Sequence, residues 1–222
     1  MKRVALTLVV TTAAVGFAFR PAVAAHAAFW VSLTAAYLAL SGLALYKMWD
    51  EGTLLELLKP RGGDISIGVI LAAALLLLSW AVRLVVAPAG SIRQAWLFRI
   101  YLQIGDSEAI KRSALLTVLI LVIAACEELV WRGMVLTLLA ERVGVRRAWP
   151  LAALVYSASL IPTAFGLADP AAGPNPLLLI AGLGCGLVWS FAAAKLGRLM
   201  PVIFSHMVFS YFSAVQFRWP GG

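Results

Sequence analysis

Charge is scarce in this chain. Aspartate, glutamate, lysine and arginine make up 13% of its 222 residues, about half the ~25% of an ordinary soluble domain. Cysteine is almost absent too: Cys126 and Cys185 are the only two, both inside apolar runs, so a disulfide scaffold is excluded and packing is their expected role. Histidine also occurs twice, as His26 and His206. With so few polar groups, a soluble globule could not cover its own outside. Disordered chains and free-standing nucleic-acid modules are excluded for the same reason.

What is present is apolar. Hydrophobic residues reach 63% and mean hydropathy is +0.95. A spanning helix needs ~20 mostly apolar residues, and seven runs qualify as candidates: residues 4–19, 27–46, 65–86, 113–139, 149–167, 177–194 and 199–217. The expected fold is all-α, one polytopic membrane bundle over residues 1–222, because lipid cannot satisfy open backbone groups. The first run, with Met1-Lys2-Arg3 before it and AVAAHA after it, also has the make-up of a secretory signal; we expect a retained helix, since the second run follows almost at once.

The net charge of +8 comes in short basic clusters between apolar runs, a pattern of membrane topology rather than of a nucleic-acid face. Ten Lys and Arg fall on the side of the N-terminus and six on the other, Arg218 among them. The bias favours a cytoplasmic N-terminus in a bacterial inner membrane. Between the third and fourth runs, Leu97, Ile100, Tyr101 and Ile104 recur at helical spacing, consistent with an interfacial helix or with a plain connector. In the sixth run, Gly182 and Gly186 form a small-xxx-small pair of the kind that brings helices close.

The candidate chemistry lies in the fourth run. Glu127 and Glu128 are adjacent there, with Glu127 ~21 Å along the helix from Ser113. One charge at that depth costs ~2.5–3.5 kcal/mol on insertion scales. Arg132, four residues after Glu128, shares its face and can pair with it. Glu127 then projects ~100° away, without a local cation and available for proton exchange. We therefore expect a structural Glu128 and a chemical Glu127. His206, deep in the last run, is the expected proton-handling partner, while His26 falls at the start of the second run in a solvated position.

The segment CEELVWRG resembles the first motif, EExxxR, of the CPBP family, the CAAX-protease and bacteriocin-processing (Abi-type) intramembrane peptidases; Glu127, Glu128, Trp131, Arg132 and Gly133 carry the match. GLVWSFAAAKLGRLMPVIFSHMVFS resembles the family's final segment, which ends in a histidine inside the last helix. The resemblance implies a catalytic core over residues 113–217. In it Glu127 activates a water with help from His206, while Glu128 and Arg132 organise the site. The implied substrate is a membrane-anchored protein or peptide, either a CAAX-type chain end or a C-terminal sorting tail. The implied partners are thus the substrate and the bilayer, with no nucleic acid; the oligomeric state stays open.

Two departures from the family pattern stand out. Where the second motif reads FxxxH, this chain has Tyr156 and, in the histidine's place, Leu160. Where the third reads HxxxN, His206 is followed by Ser210. Tyr156 and Ser210 are therefore the expected supporting donors. A glutamate–histidine mechanism needs no cofactor, and a closed three-ligand zinc site would need both glutamates plus His206. Two other functions fit the same residues: a catalytically silent relative that binds a membrane substrate, and a small proton-coupled transporter.

Overall fold

Long apolar runs with few breakers have one way of hiding their peptide groups in lipid, and the chain takes it. The computed structural model describes residues 1–215; the end of the last expected run, to residue 217, and Arg218 of the charge count lie outside the described residues. The architecture is all-helical, with no strand among the described residues beyond one bridge between Asp169 and Gly173. In chain order the helices are α1 (Lys2–Ala18), α2 (Ala27–Asp50), α3 (Leu54–Leu58), α4 (Asp64–Val86), α5 (Gln94–Ile104), α6 (Ser107–Arg112) and α7 (Ala114–Glu128). After a π-helical stretch, Leu129–Val135, come α8 (Leu136–Val143), α9 (Val145–Ser159), α10 (Ile161–Gly166), α11 (Leu177–Leu196) and α12 (Met200–Val215).

Among the described residues, five helical stretches are long and apolar enough to cross a membrane: Ala27–Asp50, Asp64–Val86, Ala114–Val143, Val145–Gly166 and Leu177–Leu196. Helix α12 is apolar but shorter, and α1 has 17 residues. Length and composition thus support five of the seven expected spans. The chain is an integral membrane protein. Helix α1 buries Val4, Thr7, Thr11, Val15 and Ala18 within the bundle, with the buried hydroxyls of Thr7 and Thr11 donating to carbonyls one turn back.

Polar residues at the helix ends hold the bundle's register. Arg198 pairs with buried Asp64 at 3.1 Å, tying the start of α12 to that of α4. His26 is exposed and caps α2, its Nδ1 accepting from the Ala28 amide. The periodic segment between the third and fourth runs is helical, as α5. It turns Trp96, Leu97 and Ile100 into a buried apolar cluster, and its Gln103 amide donates to the Ala18 and Arg20 carbonyls at the end of α1. A plain connector does not describe it.

Glycine permits close approach at several helix contacts. A Cβ on Gly68 would fall 2.7 Å from Phe204 Cβ and 2.8 Å from the Pro201 carbonyl, so α4 and α12 can meet there only without a side chain. Gly182 and Gly186 face α9 and Leu160 directly after it, at Ser157, Leu160, Ala153 and Tyr156, which is the packing role expected of that pair. Cys126 and Cys185 are buried and unpaired.

Candidate active site

Helix α7 starts on Ser113, whose hydroxyl accepts from the Leu116 amide, and delivers Glu127 and Glu128 at its last turn. The backbone then changes pitch. Leu129–Val135 is π-helical, a widened form frequent at functional sites. The stretch buries Trp131, Arg132 and Gly133. A Cβ on Gly133 would meet Met48 Cε at 2.6 Å and Leu199 Cδ1 at 3.1 Å, so the motif's glycine sits in a close contact formed by the tips of two flexible side chains.

Arg132 and Glu128 form the expected pair, Nη1 donating to Oε1 at 2.8 Å, with both side chains fully enclosed. The guanidinium also donates to Ser190 Oγ and to the Gly186 carbonyl, each at 3.3 Å. It lies 5.0 Å from the Tyr156 ring and 5.4 Å from that of Trp189, within reach of cation–π attraction. A buried ion pair is stable only when its remaining donors are satisfied, and here α11 supplies the partners.

His206 bridges the two glutamates. Its Nδ1 is 2.7 Å from Glu128 Oε1 and its Nε2 is 3.4 Å from Glu127 Oε2. Trp189 stacks on the imidazole with centroids 3.9 Å apart and is itself fixed by its indole N–H on Ser205 Oγ. A carboxylate paired to a guanidinium can only accept, so Nδ1 donates to Glu128. Nε2 is left on the ring edge that faces Glu127 Oε2. The Tyr156 hydroxyl donates to the same Glu127 oxygen at 3.3 Å.

Exposure separates the two acids. The Glu128 side chain is 0% exposed and that of Glu127 14%, because Glu127 borders a cavity of about 390 Å³ that Glu128 does not reach. The cavity wall is largely apolar; Tyr156 and His206 line it in contact with Glu127, and Ser210 and Leu160 also line it. All six residues singled out from the sequence thus gather in one place: Glu127, Glu128, Arg132, Tyr156, His206 and Ser210. Sequence reasoning missed Trp189, Ser190 and Ser205. The glycine pair on α11 announces a close approach, but not that its open backbone would accept from Arg132.

The donor set does not suit a closed metal site. Among the described residues no group of three His, Cys, Asp or Glu is arranged to hold a metal ion, and Glu128 is engaged by Arg132.

Residues 109–212 match the family model of Rce1-like proteins, type II CAAX prenyl endopeptidases. The match supports assignment of this segment to the CPBP family. Comparison with curated proteins and with solved structures found no match. The CPBP segment contains the diglutamate, Arg132, Tyr156, Leu160 and His206, whereas α1 to α5 lie outside it. Leu160 caps the end of α9, so the position of the missing CPBP histidine faces the cavity with an aliphatic side chain.

Proposed function

We propose that this protein is an intramembrane endopeptidase that hydrolyses a peptide bond of a membrane-anchored protein or peptide. Glu127 is the general base and His206 its proton partner. One observation carries the reading: Glu127 and His206 face each other at 3.4 Å on the wall of an apolar cavity, while Glu128 and Arg132 are sealed behind them. With Glu127 ionised and His206 carrying both ring protons, a water beside Glu127 gives up a proton to the carboxylate as its oxygen bonds to the substrate carbonyl carbon. The tetrahedral intermediate collapses with cleavage of the C–N bond, and the proton held by the Glu127–His206 pair passes to the leaving nitrogen. Tyr156 supports the carboxylate, and Ser210 is a further donor on the cavity wall.

The family's substrates favour a prenylated CAAX-type chain end, whose lipid chain suits apolar walls; a C-terminal sorting tail is the other candidate. In this reading seven helices cross a bacterial inner membrane with the N-terminus cytoplasmic, and residues 113–217 form the catalytic core. The test is cleavage of a farnesylated CAAX-type peptide by purified protein in lipid nanodiscs. Wild type should release the terminal peptide, and Glu127→Gln should lower the rate by ~10²–10⁴.

Leu160 favours a second reading, a catalytically silent relative that binds the same substrate. Farnesyl-peptide binding without product from the wild type would decide for it.

A further inference from the structure

Tyr37 lies outside the CPBP segment and outside every motif of the sequence. It sits in the middle of α2, is 1% exposed and is among the largest fully enclosed side chains. One turn further along α2, the Ser41 hydroxyl donates to the Cys126 carbonyl at 3.2 Å. That bond fixes α2 against the turn of α7 that carries Glu127. In this register Tyr37 packs in the same buried cluster as Val130 and Trp131, close enough to Glu127 for its hydroxyl and the carboxyl to act on each other electrostatically. Neither the Tyr37 hydroxyl nor the Trp131 N–H closes a well-formed hydrogen bond among the described residues, although both are buried. Buried polar atoms are nearly always paired, and phenylalanine would fill the same volume with no donor to satisfy. Two unpaired buried donors in the cluster that packs behind Glu127 point to a hydrogen-bond chain that tightens in the working site, as catalytic hydrogen bonds often do.

We propose that Tyr37 is a positioning residue for Glu127: its hydroxyl donates to the Glu127 carboxyl while the Trp131 indole N–H donates to the phenol oxygen. The chain holds the carboxyl in the orientation that meets His206 and the cavity. The N-terminal half of the protein thereby completes a site whose motifs all lie in the C-terminal half. This rests on the reading of Glu127 as the base, but its first test does not require turnover.

Infrared difference spectra of the protein in nanodiscs identify the Glu127 carboxyl band as the one that Glu127→Gln deletes. Tyr37→Phe, which keeps the ring in the α2–α7 interface, should shift that band. 3-Fluorotyrosine at position 37, a stronger donor of nearly the same shape, should shift it the opposite way. A band unmoved by both overturns the proposal. With the farnesylated peptide, Tyr37→Phe should lower kcat about tenfold at unchanged KM, the signature of an interaction made in the transition state; an unchanged kcat also overturns it. A shifted band in a protein that forms no product would instead retain Tyr37 as the partner of Glu127 and remove the peptidase reading.

Discussion

The two glutamates are chemically identical neighbours, and their surroundings give them different work. Glu128 is enclosed with Arg132 and faces His206 Nδ1; Glu127 reaches the cavity. Replacing Glu128 with alanine strands the Arg132 charge in the interior, which costs about 3–5 kcal/mol. Glu127→Gln leaves that pair intact. Thermal unfolding in detergent should therefore drop sharply for Glu128→Ala and stay near wild type for Glu127→Gln, while peptide cleavage fails in both. Equal melting losses for the two variants would contradict the division of labour. The pairing of Glu128 with Arg132 was legible from spacing alone, since four residues along a helix bring the two together and leave Glu127 facing elsewhere. Trp189 and Tyr37 were not legible: each is one aromatic among many in apolar runs, and its role exists only because α11 or α2 packs beside α7.

At the scale of elements, hydrophobic run length located nearly every long helix, but it could not show where a helix changes pitch. The π-helical stretch begins directly after the diglutamate, and Leu129–Val135 contains nothing in its composition to announce it; tertiary contacts of Trp131, Arg132 and Gly133 select it. The break between α9 and α10 was likewise hidden inside a run, 149–167, read as continuous. Glycines at contacts are more readable, and Gly68 offers the sharper test. Helix α12 carries His206, and its approach to α4 is set where Gly68 faces the Pro201 carbonyl and Phe204 Cβ. Backbone cannot yield as a flexible side-chain tip can. Gly68→Leu should cost about 1–3 kcal/mol through overpacking, and the displaced α12 should draw His206 away from Glu127. Cleavage should then fall with the melting temperature. Gly62→Leu, at a site with open space around it, should leave both unchanged.

At the scale of the whole molecule, the cavity is roofed by an element that looked optional in the sequence. Leu97 and Ile100 of α5 line it, and α5 is strapped to the loop between α10 and α11. Arg99 Nε donates to Asp169 Oδ2 at 3.3 Å, the Trp96 indole to the Gly173 carbonyl at 3.2 Å, and the Asn175 amide to the Trp96 carbonyl at 2.9 Å. The loop lies outside the spanning helices, and the backbone amides of Ala171 and Ala172 on the carboxylate, with Arg99 beside it, hold Asp169 below its ordinary value of 3.8. A carboxyl whose folded value is depressed stabilises the structure above its unfolded value, and that contribution disappears as pH falls through the folded one. The strap should therefore be indifferent to pH from neutrality down to about 4 and loosen below it. Amide-exchange protection factors at Ala171 and Ala172, corrected for intrinsic rates, should be level over the upper range and drop in acid. Asp169→Asn keeps an oxygen to accept from these amides but cannot ionise, so its protection should be lower at neutrality and flat with pH. A wild-type profile as flat as that of Asp169→Asn would mean that the neutral hydrogen bonds, and not the carboxylate charge, hold the loop on α5.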